Sequence, residues 1–293
     1  MISRITGSGP DLALIHGWGL GSAAWTPVVA ALAQRCRVHL IDLPGYGGPE
    51  SLMDKRPSHE HCQQAHEQSA LEDTPCRTPS GEPRSPSDFI ETGAALADSL
   101  PDGCILCGWS LGGMLALQAA LLAPQRCSGL ILVGSTPSFT QRADWPHAQP
   151  PALLDTFSDA ISMDAGAALQ RFIALLNQGD AQARVHGRAM LKQLLASELP
   201  ATASLLDGLR WLRDVDLRAR IPSIATPTLL IHGGRDPLMP LAAAQWLKNE
   251  LPQARLEIFP NAAHAPFLAD PERFTTLLSD FCHANAAVQT THP

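Results

Sequence analysis

The sequence predicts an α/β protein with a mostly parallel central sheet flanked by helices. Short apolar runs that end in polar or glycine-rich turns are typical of buried parallel strands. They lie at 11–16, 37–42, 103–109, 129–134, 226–232 and 254–259. Helical patterns separate several of them, at 24–34, 111–122, 240–251 and 271–284. Because strands that alternate with helices join through right-handed crossovers, both faces of the sheet should be covered.

Two segments interrupt this alternation. Residues 48–87 are rich in Pro, Ser, His and charge, so we expect a flexible insertion there, and its His and Cys spacing does not predict a metal site. Residues 137–220 show helical patterns alone, at 151–162, 165–178, 180–198 and 201–213. A block without strands cannot join the sheet. We therefore expect a core of 1–136 and 221–293 with 137–220 as a helical lid that walls a pocket.

Composition excludes several classes of protein. The net charge of −7 opposes broad nucleic-acid binding, and no apolar stretch approaches the length of a membrane span. The N-terminal residues lack the pattern of a secretory signal, and seven cysteines do not form a disulfide framework, so we expect a cytoplasmic protein. Separately, we expect it to be a monomer. Cys104 and Cys107 form a C-x-x-C pair inside an apolar run, which favours packing over redox or zinc chemistry.

The stretch Gly108-Trp109-Ser110-Leu111-Gly112 fits the pattern G-x-S-x-G between a predicted strand and a predicted helix. A turn this sharp leaves no room for side chains at the glycines and lifts the serine above the sheet. Ser110 is therefore a candidate nucleophile, although a serine that is only a small residue in a tight turn would match the same five-residue pattern.

A serine hydroxyl needs a base to remove its proton and an acid to orient that base. In this motif the chain order is Ser, then Asp or Glu, then His. Asp236 follows the strand in "LLIHGGRDPLMP", and His264 follows the last strand in "IFPNAAHAPFLADPERF". Each residue alone is equally compatible with an ordinary turn or loop, but together with Ser110 they predict a catalytic triad.

An oxyanion intermediate needs backbone N–H donors already aimed at it. Leu111, directly after the serine, begins the helix and supplies one donor. The other is expected from the early loop "HGWG", where Trp18 occupies the donor position. His16 in that loop is interpreted as a structural residue that braces it, rather than as the base.

With these motifs in place, the sequence resembles the α/β-hydrolase family over nearly the whole chain outside 48–87. The resemblance rests on "LIHGWGLGSAAW", "HLIDLPGYG", "GWSLGGMLALQAA", "HGGRDPLMP" and "AAHAPFLADPERF". It implies the α/β-hydrolase fold with the helical lid inserted after the sixth strand region. It also implies hydrolysis of carboxylic esters by Ser110, Asp236 and His264 with no cofactor.

A narrower resemblance comes from "HGWG", "GWSLGG", "ADWP" and "RFIALLNQG". Together they resemble a group of carboxylesterases in biotin synthesis that cleave a methyl ester of an acyl chain on acyl-carrier protein, with short acyl esters as side substrates. The resemblance implies substrate contacts at Trp18, Ser110, Leu111, His264 and the stretch Phe172, Ile173, Ala174, Leu175 and Leu176. It also implies docking of the carrier protein at Arg171, Arg184 and Arg188.

Basic residues of the predicted lid are relevant to docking of the carrier protein. Arg184, Arg188 and Lys192 recur every four residues, so they lie along one side of a helix. They form either a solvated helix face or a docking patch for an acidic carrier protein. Two other interpretations of the function stay open. One keeps the triad but changes the substrate: a general small-ester hydrolase, a perhydrolase or a carbon–carbon bond hydrolase. The other is a catalytically silent binding protein with a hydrolase fold.

Overall fold

The computed structural model describes residues 2–46 and 86–289. Within them, seven strands form one sheet in the order β1-β3-β2-β4-β5-β6-β7. The strands are β1 (Ile2–Thr6), β2 (Asp11–Ile15), β3 (Arg37–Asp42), β4 (Cys104–Trp109), β5 (Cys127–Val133), β6 (Thr228–Gly233) and β7 (Ala254–Phe259). Every neighbouring pair is parallel except β1 with β3. The predicted mostly parallel sheet is confirmed.

Helices flank the sheet. They are α1 (Thr26–Leu32), α2 (Pro86–Asp98), α3 (Leu111–Leu122), α4 (Pro151–Met163), α5 (Ala165–Leu176), α6 (Ala183–Ala196), α7 (Thr202–Asp214), α8 (Leu241–Glu250), α9 (Pro266–Ala269) and α10 (Pro271–Gln289). Helix α3 packs on β4 and β5 and against α2. Because it is enclosed on all sides, its residues from Leu111 to Ala120 are buried, which accounts for its Ala- and Leu-rich sequence.

Helices α4 to α7 lie in the predicted lid, residues 137–220, hereafter the lid segment. Its four helices agree closely with the predicted ones. The segment enters after β5, the fifth strand of the described chain, so its expected place after a sixth strand region is wrong. Five described strands precede it: β1 and the four strands that the sequence predicts before residue 137. Whether the segment moves as a lid stays a prediction.

The N-terminal strand and α2 were not predicted. Strand β1 is a short antiparallel edge strand whose Ile5 is half exposed, so it shows none of the apolar run of a central strand. Helix α2 begins at Pro86, inside the end of the expected insertion 48–87. The rest of that expected insertion, with its His and Cys residues, lies outside the described residues.

Cys104 and Cys107 lie buried on β4, and burial raises the pKa of both thiols. Because residues three apart on a strand point to opposite faces of the sheet, the two thiols do not face each other, and each packs in the core. In the described ranges, no group of three or more His, Cys, Asp or Glu is arranged to hold a metal ion. No helix in these same ranges combines the length and apolar character needed to cross a membrane.

Candidate active site

Ser110 occupies the turn between β4 and α3 with φ 56° and ψ −120°. It is the single residue other than glycine with positive φ in the described part of the chain. The flanking glycines make this turn possible. A Cβ on Gly108 would lie 2.3 Å from the Gly112 carbonyl oxygen, and one on Gly112 would lie 2.5 Å from the His16 carbonyl oxygen. The strained backbone therefore holds the serine above the carboxyl end of β4.

Asp236 and His264 lie in the loops after β6 and β7 and form a buried pair. The distance from His264 Nδ1 to Asp236 Oδ2 is 2.8 Å, and both side chains are fully buried. Asp236 Oδ1 accepts hydrogen bonds from the backbone N–H groups of Leu238 at 2.8 Å and Met239 at 2.9 Å. The structure thus brings together two residues that are 28 positions apart.

Electrostatics favour an ionised Asp236. Burial alone raises the pKa of this carboxyl, but the attraction of His264, the hydrogen bonds it accepts and the nearby His232 outweigh burial and lower its pKa. His232 donates from Nε2 to the Met239 carbonyl oxygen at 2.8 Å, and burial lowers its pKa. His232 is therefore a neutral neighbour of the pair.

The other contacts of His264 fix its backbone and leave one ring nitrogen unpaired. Its N–H donates to the Leu176 carbonyl oxygen at 3.2 Å, and its carbonyl oxygen accepts from Trp109 Nε1 at 2.8 Å. The buried His264 Nε2 has no hydrogen-bond partner within the described residues. A buried nitrogen that lacks a partner costs free energy, and a catalytic role is one reason for a protein to retain it. With Nδ1–H held by Asp236, Nε2 is available to accept a proton.

The loop from Gly17 to Gly21 is held at the same edge of the sheet. His16 is fully buried, with Nδ1 2.7 Å from the Gly17 carbonyl oxygen and Nε2 accepting from Leu43 N–H at 3.1 Å. Burial lowers the pKa of His16, and both ring nitrogens are occupied, which excludes it as a base for Ser110. The interpretation of His16 as a brace for this loop is confirmed.

Tyr46 also holds this loop and was not singled out from the sequence. Its hydroxyl accepts a hydrogen bond from Gly19 N–H at 3.1 Å, and its ring centroid lies 4.5 Å from that of His16. Burial raises the pKa of Tyr46, so the phenol stays neutral. The signal available in the sequence was slight: Tyr46 is the one tyrosine of the whole chain.

Trp18 joins this loop to the lid segment. Its indole Nε1 donates to the Leu205 carbonyl oxygen on α7 at 2.8 Å. Its ring meets Phe172 edge to face, with centroids 4.8 Å apart, and Phe157 lies 5.9 Å away. Leu111 is the first residue of α3, so its N–H has no acceptor one turn earlier in the helix.

The stretch 172–176 on α5 divides between two environments. Phe172, Ile173 and Leu176 are buried, whereas Ala174 is exposed and Leu175 is intermediate. The structure therefore brings Phe172 to Trp18 and Leu176 to His264, and it turns Ala174 toward solvent.

Arg171, Arg184 and Arg188 are exposed on α5 and α6. None of these three forms an ion pair with a carboxylate of the described ranges, unlike Arg213, which pairs with Asp155.

A strained serine turn, a buried carboxylate–histidine pair and a braced loop thus meet at the carboxyl edge of a parallel sheet. The chain belongs to the α/β-hydrolase family, whose model matches residues 12–277. This confirms the resemblance drawn from the sequence motifs.

Three proteins that share one name are similar to this chain over more than nine-tenths of its length. The chain is 39% identical to the pimeloyl-[acyl-carrier protein] methyl ester esterase of Nitrosomonas europaea, over 92% of this chain and 95% of that protein. It is 38% identical to the protein of the same name from Aromatoleum aromaticum, over 92% and 97%. The protein of that name from Stenotrophomonas maltophilia is 36% identical over 96% and 95%.

Solved structures agree on the fold. An esterase from Exiguobacterium antarcticum superposes with a TM-score of 0.76 at 22% identity, covering 96% of this chain and 94% of that one. A bromoperoxidase from Bacillus anthracis gives a TM-score of 0.74 at 19% identity, covering 94% and 92%. At these identities the likeness concerns the fold alone.

Proposed function

We propose that this protein is a serine carboxylesterase that hydrolyses the methyl ester of pimeloyl-[acyl-carrier protein] in biotin synthesis, with side activity on short acyl esters. The observation that carries the proposal is the identity of 36–39% with three esterases of that name over more than nine-tenths of the chain. The geometry of Ser110, Asp236 and His264 supports the chemistry. We expect it to work in the cytoplasm as a monomer.

In the first half of the reaction, His264 Nε2 takes the proton of Ser110 as the serine oxygen attacks the ester carbonyl. Asp236 holds Nδ1–H, which keeps the acceptor lone pair on Nε2 and stabilises the imidazolium that forms. The N–H groups of Leu111 and Trp18 hold the oxyanion. Methanol leaves after His264 returns the proton to its oxygen.

In the second half, water attacks the acyl-enzyme with His264 again as base, which releases the free carboxylate and restores Ser110. Every proton transfer uses groups of this chain, so the chemistry requires no metal or organic cofactor. The aromatic side chains of Trp18, Phe157 and Phe172 supply an apolar wall suited to a methylene chain.

The carrier protein would dock on α5 and α6 through Arg171, Arg184 and Arg188. These side chains are exposed, and no carboxylate of the described chain neutralises them, although the whole protein carries a net charge of −7. A local cationic face on an acidic protein favours encounter with an acidic partner in one orientation.

The test compares kcat/KM on methyl pimeloyl-acyl-carrier protein with kcat/KM on a p-nitrophenyl butyrate control. The variants are Ser110→Ala, the triple change of Arg171, Arg184 and Arg188 to Ala, and Arg35→Ala as a control that removes one surface cation outside the lid segment, where it pairs with Asp280. Ser110→Ala should abolish turnover of both esters while leaving the circular dichroism spectrum unchanged.

The triple variant should lose about 10- to 100-fold in kcat/KM on the carrier-bound ester, and less at high salt, while keeping its activity on the short ester. Arg35→Ala should change neither value. Equal use of both esters by the wild type, unaffected by the triple change, would contradict the carrier substrate and leave a general carboxylesterase. Near-normal activity of Ser110→Ala would contradict the triad itself.

A further inference from the structure

The turn between α5 and α6, residues 177–182 and hereafter the lid turn, is attached to both loops that carry the acid and the base. The Gly179 carbonyl oxygen accepts from Arg235 Nη1 at 3.3 Å, in the loop after β6. Ala181 N–H donates to the Asn261 carbonyl oxygen at 3.1 Å, in the loop after β7. The lid turn is therefore a fixed part of the frame around the site.

Asp180 makes a third attachment, through a buried side chain. Its side chain is 3% exposed, and its Oδ2 accepts from the backbone N–H of Ala263 at 3.2 Å. Its Oδ1 accepts from Gln182 N–H at 2.6 Å and lies 3.1 Å from His186 Nδ1 on α6. Both carboxylate oxygens are thus engaged, and one of them holds the residue that immediately precedes His264.

We infer that Asp180 is a positioning residue for the base, an inference that rests on the proposed function. By accepting from Ala263 N–H, it fixes the backbone that carries the His264 ring, whose Nδ1 meets Asp236 and whose Nε2 is the proposed acceptor of the Ser110 proton. The bond from His264 N–H to Leu176 fixes the next peptide from the same lid segment. A base must lie within hydrogen-bond reach of the proton it removes, so small displacements of this loop lower the rate.

The contacts of Asp180 differ from those of an ordinary helix cap. Asp164 shows the ordinary case: it is exposed, and its Oδ1 accepts from Ala167 N–H at 2.9 Å, three residues along at the start of α5. Asp180 instead spans 83 positions to reach Ala263 and is buried where it does so. A purely local role would not require the second oxygen to face the loop after β7.

An amide cannot replace the carboxylate. Ala263 and Gln182 present N–H donors to different oxygens of Asp180. Asparagine has a single acceptor oxygen, so in either orientation its NH₂ group meets one backbone N–H and leaves that buried donor unpaired. Asp180→Asn therefore perturbs the loop while keeping the shape of the side chain.

The experiment measures kcat and KM for p-nitrophenyl butyrate and the rate of labelling of Ser110 by a fluorophosphonate, at a temperature well below the unfolding midpoint. Asp180→Asn should lower kcat and the labelling rate together by about 10- to 100-fold, with KM within about twofold of wild type. Asp164→Asn is the matched control, because it also removes a lid-segment carboxylate. It should lower the unfolding midpoint slightly and keep wild-type kcat.

Wild-type kcat and labelling in a folded Asp180→Asn would overturn the inference, as would an equal loss in Asp164→Asn. Should Asp180→Asn fail to fold, His186→Gln serves instead, because it removes the brace of the carboxylate and keeps the carboxylate itself. It should lower kcat about two- to fivefold, and an unchanged kcat would overturn the inference. A wild type that neither hydrolyses the ester nor reacts with the probe would instead refute the proposed function.

Discussion

Replacement of Asp236 by Asn tests the proposed role of the buried pair most directly. Asp236 Oδ1 accepts from two backbone N–H groups, those of Leu238 and Met239, and Oδ2 receives His264 Nδ1–H. Asparagine keeps the size of the side chain and carries a single acceptor oxygen. The two possible orientations of the amide therefore have different consequences.

With the amide oxygen toward Leu238 and Met239, both backbone donors stay satisfied and the NH₂ group faces His264. Nδ1 must then accept a hydrogen bond, so the proton moves to Nε2 and the ring loses its ability to take the proton of Ser110. The reverse orientation keeps the productive tautomer but leaves two buried donors unpaired, at about 1–3 kcal/mol each.

The unproductive orientation is thus favoured by about 2–6 kcal/mol, which corresponds to a loss in kcat/KM of roughly 30-fold to 10⁴-fold. The assay is hydrolysis of p-nitrophenyl butyrate, with urea denaturation to confirm that the variant is folded. Asp270→Asn is the matched control, since Asp270 is an exposed carboxylate that caps the start of α10 in the segment following His264. A folded Asp236→Asn that loses less than about tenfold would refute the reasoning.

Three further perturbations follow from the same contacts. Tyr46→Phe leaves Gly19 N–H unpaired and loosens the loop that carries an oxyanion donor. We therefore expect kcat to fall about tenfold with KM nearly unchanged. An unchanged kcat would show that the hydroxyl only stabilises the fold. Gly112→Ala places a Cβ 2.5 Å from the His16 carbonyl oxygen. The free energy of unfolding of this variant, measured by urea titration, should be lower than that of wild type by about 1–3 kcal/mol. A wild-type value would mean that the turn relaxes to accommodate the methyl group. Because burial lowers the pKa of His232 below its ordinary value of 6.5, the unfolded chain binds a proton there that the folded protein does not, and stability falls as the pH drops below 6.5. His232→Gln should remove up to about 1.4 kcal/mol per pH unit from that slope, measured by urea denaturation between pH 7.5 and 5.5, and an unchanged slope would contradict a neutral buried His232.

The fold could be predicted for those strands and helices whose burial leaves a regular pattern of apolar residues in the sequence. The central strands are apolar on both faces, so their sequences show continuous runs, and the helices of the lid segment show clear periodicity. Edge strand β1 is half exposed and short, so it carries no such run. Helix α6 begins at Ala183 rather than at the predicted residue 180, because Asp180 is engaged by Ala263 across the site instead of starting the helix.

The sequence by itself determined the serine turn, since the need for glycine at positions 108 and 112 is a local steric fact, and it determined the chain order of Ser110, Asp236 and His264. Only the tertiary structure decided which partners these residues meet. The Asp236–His264 pair and the bonds Tyr46–Gly19 and Asp180–Ala263 join loops far apart in the chain. Loop residues carry no periodic signal, and such hydrogen bonds form only after the parallel strands have brought their carboxyl ends to one edge of the sheet.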